Sequence, residues 1–153
     1  MKCRQGGFSL LELAVVALVV AALAWAMLSF LGRYQGIVER DMVDMNIRNM
    51  RTGMRLQVSE LLMEGRQREL PNLVGTNPVR WLGGNIAGYL GELDAPPQGV
   101  RGCWYFDRPR RMLVYRPQSS GFPGGAYMEL RWQVVRSGGQ DSGVKLVEME
   151  VGQ

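Results

Sequence analysis

Hydrophobic and polar positions along this chain follow three patterns in turn. Residues 13–31 are apolar apart from Ser29 and carry no charge. At about 1.5 Å rise per residue such a run spans roughly 30 Å of hydrocarbon as a helix, enough to cross a bilayer. From residue 33 to about 64 the pattern becomes amphipathic. Tyr34, Val38, Met42, Met45 and Asn49 form one stripe at three- and four-residue spacing, and Ile47, Met50, Met54, Val58, Leu61 and Leu62 form a second. Charges such as Glu39, Arg40, Asp41, Asp44, Arg48, Arg51 and Arg55 fill the remaining surface. One wide apolar face suits packing on a core, and the second, partly polar stripe suits contact with neighbouring helices. Gly65 fits a C-cap and Pro71 forbids much further helix. The spacing therefore predicts one helix of about 55 residues, roughly 80 Å long. A coiled coil is the alternative for residues 34–62, with Asn49 and the interior Gly53 interrupting a regular seam.

Residues 66–102 hold Pro71, Pro78, Pro96, Pro97 and many glycines and read as a connecting region. A helical turn at residues 78–82 and another short piece at 86–93 are the elements expected within it. Beyond it the period drops to two. Residues 103–106 and 112–115 flank a turn containing Pro109 and read as a hairpin. Residues 127–136 alternate, with Met128, Leu130, Trp132 and Val134 on one face. In the last strand Val144, Leu146, Glu148 and Glu150 alternate against Lys145, Val147, Met149 and Val151, giving a polar face and an apolar one. The expected fold class is α+β: a long N-terminal helix, membrane-spanning in its first half, packed on a four-stranded antiparallel meander.

Glu12 changes the reading of the apolar run, because a carboxylate within a membrane costs several kcal/mol unless it is paired or functional. Ahead of it lie Lys2 and Arg4, whose charges favour the cytoplasmic side and predict an N-inside, C-outside orientation; Arg33 on the far side weakens that contrast slightly. A secretory signal would have a shorter apolar core followed by a small-residue cleavage site. A lipoprotein signal would place a cysteine after the apolar stretch, whereas Cys3 precedes it.

The combination of Lys2 and Arg4, Gly7 before Phe8, Glu12 at the fifth position from Phe8, and a membrane-length apolar run resembles the N-terminus of type IV pilins and of type II secretion pseudopilins. The resemblance implies a leader over residues 1–7, a transmembrane or filament-core helix over 8–31, its amphipathic continuation over 32–65, a connecting region over 66–102 and a sheet over 103–153. It implies partners as well: a membrane prepilin peptidase that cleaves between Gly7 and Phe8 and methylates the new amine of Phe8, other pilins or pseudopilins packing through the N-terminal helix, and an inner-membrane assembly platform. Glu12 would pair with the Phe8 amine of an adjacent subunit and fix axial register; the alternative is that it sits near the membrane interface, protonated or snorkelling. The segments Asn77-Pro78-Val79-Arg80-Trp81-Leu82, Tyr89-Leu90-Gly91-Glu92, Trp104-Tyr105-Phe106-Asp107 and Leu113-Val114-Tyr115 look like minor pilin-like proteins of mannose-sensitive haemagglutinin (MSHA) pilus systems.

Composition narrows the alternatives. With 153 residues the expectation is a single domain. The net charge of +4, reduced to +2 without Lys2 and Arg4, and the scatter of the arginines do not suggest nucleic acid. Without the leader only Cys103 remains, so no disulfide closes the C-terminal region, a departure from many pilins, and Cys103 beside Trp104 reads as a small buried hydrophobe. There is no histidine, which removes histidine general-base catalysis and most transition-metal sites. Residues 138–143 offer one carboxylate, Asp141, too few for calcium. No enzyme, cofactor or metal is expected. The functional expectation is a minor pilin-like subunit of an MSHA-type pilus, held in the inner membrane with a periplasmic domain and then entering or priming a filament. The alternatives are a minor pseudopilin of type II secretion and a single-span periplasmic binding protein that never polymerises.

Overall fold

A computed structural model describes residues 10–83, 86–119, 122, 128–138 and 143–149. One helix, α1 (Leu10–Met63), runs unbroken for 54 residues. Its end is closed as the sequence suggests: Gly65 has φ 72°, and the amides of Gly65 and Arg66 donate to the carbonyls of Leu62 and Leu61, at 3.2 and 2.8 Å. This satisfies carbonyls left over by the last turn. Two short 3-10 helices follow, Gln67–Leu73 and Pro78–Leu82, then β1 (Tyr89–Leu93), β2 (Cys103–Asp107), β3 (Met112–Arg116), β4 (Leu130–Ser137) and β5 (Gly143–Met149).

Among the described residues the sheet has five strands in chain order and is mixed, which corrects the expected four-stranded antiparallel meander. β2 to β5 pair antiparallel, and β1 joins β2 in parallel. The additional strand lies inside the connecting region. Gly91, at φ 96°, sits between the paired residues Tyr89 and Glu92, where the register shifts, so a left-handed glycine interrupts the alternation that marks a strand.

A parallel pair needs a return path, and the segment between Leu93 and Cys103 provides it without a helix. That segment runs over the face of the sheet turned away from α1. The carbonyl of Pro97 accepts from the Arg116 guanidinium, and the Cys103 thiol lies 3.7 Å from the carbonyl of Val100. Cys103, Tyr105 and Val114, which point to this face, are consequently buried. Arg116 and Arg131 grip Glu129 beside them at 2.8 and 2.9 Å. Burial pushes the Cys103 thiol above its ordinary range.

The main core lies between α1 and the opposite face. Val43, Ile47, Met50 and Met54 of the helix meet Trp104, Phe106, Leu113, Tyr115, Trp132, Val134 and Leu146. Trp104 is the aromatic hub, with ring centroids 4.6 Å from Tyr115 and 5.6 Å from Trp132. The alternation predicted for β4 is met by Trp132 and Val134. In β5 the core takes Leu146 and, at its margin, Val144, which share their stripe with Glu148, while Lys145 of the other stripe is exposed.

β5 is an edge strand, and α1 covers part of that edge: Arg51 Nε donates to the Leu146 carbonyl at 3.3 Å. Covering an edge blocks addition of a foreign strand. Arg51→Leu is expected to lower the onset temperature of aggregation of the detergent-solubilised chain, followed by light scattering. An unchanged onset would mean that Arg51 does not guard the edge.

Candidate functional site

The first feature to explain is the lower part of α1. Leu10–Met63 is the one described helix long and apolar enough to cross a membrane, and none of its most apolar window is buried within the chain. Residues such as Leu10, Leu18, Trp25, Leu28 and Phe30 are more than two-thirds exposed. A row of large apolar groups without cover needs lipid or other helices around it. Ser29 does not break the helix; its hydroxyl donates to the Trp25 carbonyl at 2.8 Å. Glu12 lies in the first described turn, where a negative charge also suits the positive end of the helix dipole. Lys2, Arg4, Gly7 and Phe8 lie outside the described residues.

Where the helix leaves the apolar run, Glu39 ties it to the sheet. Its carboxylate accepts from the Tyr115 hydroxyl at 2.7 Å and from the backbone amides of Gln118 and Ser119 at 2.6 and 2.9 Å. Burial, and then the bond to Glu39, push the Tyr115 phenol well above its ordinary range. This joint positions the segment after β3 beside the emerging helix. A cleft of about 920 Å³ opens next to it, lined by Leu31, Val38, Met42, Ala87, Trp104 and Tyr115 among others. Nothing in the sequence marks Glu39, because its partners lie 76 to 80 residues away. Glu39→Ala is expected to cost about 2–3 kcal/mol of stability, since a charged acceptor of three bonds is lost. Urea unfolding of the detergent-solubilised chain checks this; a loss below about 0.5 kcal/mol would show that the joint is not formed.

A second polar node fixes the far end. The buried Asn77 caps the helix at Pro78–Leu82, accepting from the Val79 amide at 3.1 Å, and donates to the Tyr89 hydroxyl at 2.7 Å and to Glu92 at 3.0 Å. The bond from Asn77, followed by Arg80 and Arg108, holds the Glu92 carboxyl below its usual range despite some burial. Asn77, Arg80, Tyr89 and Glu92 thus form one network, and Trp104 packs beside Tyr115. Gly53 completes this end. A Cβ there would lie 2.9 Å from the Trp81 Cβ and closer still to the Trp81 carbonyl oxygen, so the helix at Pro78–Leu82 rests against the bare backbone of α1. The sequence offered Gly53 only as a break in a seam.

The arrangement has one chemical character throughout: an exposed apolar rod with a carboxylate near its start, locked rigidly to a small sheet domain. Comparison of the chain with family models, with curated proteins and with solved structures finds no match.

Proposed function

We propose that this chain is a minor pilin-like subunit of a type IV pilus of the MSHA kind, processed by a prepilin peptidase and assembled in, or priming, the filament. The observation that carries the reading is the continuity of α1. One helix has its first part wholly uncovered and apolar, with Glu12 in its first described turn, and its second part built into the core through Val43, Ile47, Met50 and Met54. A rigid rod of this kind transfers from lipid to a bundle of like rods without refolding, since both surroundings are apolar. The cost of desolvating Glu12 is offset where a cation is presented to it.

In this reading Lys2 and Arg4 keep the leader cytoplasmic, Gly7 and Phe8 flank the cut, and the sheet domain stands in the periplasm. The chain performs no catalysis itself; peptidase, methylase and assembly platform act on it. A tagged copy expressed in a host that carries its pilus locus is expected in filaments sheared from the cell surface. Retention of all of it in the inner membrane, with the filaments intact, would favour a single-span protein that does not polymerise.

A further inference from the structure

We propose that, before any filament forms, residues 31–63 of α1 join two copies of this chain as a parallel, in-register, two-stranded coiled coil. The proposal goes beyond the pilus reading and borrows from it only the insertion of the N-terminal segment in a bilayer. The observation behind it is a second seam on α1. Leu31, Val38, Met42, Met45, Leu56 and Met63 are all exposed, from 48% for Val38 to 82% for Met63. They fall on a strict alternation of four- and three-residue steps, completed by Gln35, Asn49, Thr52 and Ser59, every one of them exposed. With Met42 at heptad position a, the a positions are residues 35, 42, 49, 56 and 63, and the d positions are 31, 38, 45, 52 and 59.

The core residues Val43, Ile47, Met50, Met54 and Leu61 occupy positions b and f. At 100° per residue the centre of that stripe lies about 150° around the helix from the a/d seam. Towards its N-terminal end the seam borders the chain's own domain, since Leu31, Gln35, Val38 and Met42 line the cleft beside Tyr115, Gln118 and Ser119, so a second copy joined along the seam enters that cleft. Gly53, which in the sequence alone counts against a regular seam, falls at e, outside it, and faces Trp81.

Three features select a second copy in parallel as the occupant. A single apolar segment per chain, inserted in one bilayer, forces the emerging helices to run in the same direction. Asn49 falls at an a position, where an asparagine meets its own counterpart only in register and favours two strands at some cost in stability. Arg55 at g meets Glu60 at e of the next heptad in the partner copy. Among the described residues Arg55 has no ion-pair partner in its own chain, and the Glu60 carboxylate accepts only from Gln57, at 3.3 Å. The other facing pairs, Tyr34 with Glu39, Asp41 with Asn46 and Arg48 with Gly53, carry no like charges, and Glu39 and Gly53 are already held by Tyr115 and Trp81 of their own chain. Asn49, Thr52 and Ser59 make the seam weak, so it depends on the local concentration that a shared membrane supplies and can open again.

The test uses the full chain with Cys3→Ser, in inner membranes of a host without prepilin peptidase; the buried Cys103 stays as the blank. Mild oxidation is expected to convert most of Met42→Cys, Met45→Cys and Leu56→Cys to disulfide-linked dimers, because a disulfide needs Cα atoms within about 7 Å. Arg40→Cys and Asp44→Cys, at f and c, are expected to stay monomeric. Arg55→Glu should cut the Leu56→Cys dimer several-fold, and adding Glu60→Arg should restore it. Equal cross-linking at Arg40, or cross-linking only between different positions, would overturn the in-register pair. A chain that resists alkaline extraction yet forms no dimer would overturn the coiled coil alone. A chain released by extraction would overturn the coiled coil and the pilus reading together.

Discussion

Gly53→Ala is expected to destabilise the sheet domain by about 2–3 kcal/mol, although helix propensity alone would give the opposite sign. In an open helix, replacing glycine by alanine gains about 1 kcal/mol. Here the new methyl group would meet the backbone of Trp81, with the Trp81 Cβ only 2.9 Å away. A backbone atom cannot rotate aside as a side chain can, and overpacking of this kind costs about 1–3 kcal/mol or more. The helix at Pro78–Leu82 cannot simply slide outward, because Asn77 ties its start to Tyr89 and Glu92. For a domain of roughly 120 residues the shift corresponds to a fall of about 10 °C in Tm, followed by near-ultraviolet circular dichroism of the detergent-solubilised chain. A rise in Tm would show that the 3-10 helix does not rest on α1. Gly53→Ser should behave like alanine, since the obstacle is Cβ and not polarity.

Glu12→Ala is expected to reduce incorporation into sheared filaments by about 100-fold while leaving the Tm of the sheet domain unchanged. Removing one partner of a buried ion pair costs about 3–5 kcal/mol, because the other charge is left in apolar surroundings, and each 1.4 kcal/mol is a factor of ten. The loss falls on assembly alone, since Glu12 is in the first turn of α1 and the core it carries begins at Val43. Glu12→Gln should be nearly as defective, because an amide keeps the shape but cannot balance an amine. Wild-type levels of Glu12→Ala in filaments would remove the register argument. A parallel fall in Tm would assign Glu12 a structural role instead.

How far the sequence discloses this molecule depends on the range of the interactions involved. The long helix is written in local terms: an uncharged run, two stripes at helical spacing, and Gly65 in the left-handed region to close it. The stripe through Ile47, Met50, Met54 and Leu61 proves to be core, and the stripe through Tyr34, Val38, Met42 and Met45 stays exposed, as the more polar neighbours of the second suggest. β2 and β3 are legible because aromatic and β-branched residues flank a short turn.

Long-range features are not legible in the same way. β1 is short, is bulged at Gly91, and becomes a strand only by pairing with β2 after the chain has crossed the sheet. The inward face of β5 is set by its register with β4, Leu146 opposite Val134, and Leu146 and Val144 reach the core although Glu148 shares their face. Glu39 looks like any solvated helix charge until Tyr115 and the amides after β3 come to it. Of the residues expected to act in processing and assembly, only Glu12 lies within the described part of the chain.

One mass spectrum of the chain purified from its own cells bears most directly on the pilus reading. If prepilin peptidase acts on it, the N-terminal peptide begins at Phe8 and carries one methyl group on its amine, and no peptide from residues 1–7 remains attached. A chain that still begins at Met1, with Gly7 and Phe8 joined, would leave Glu12 without the amine it is proposed to meet and would contradict the assignment.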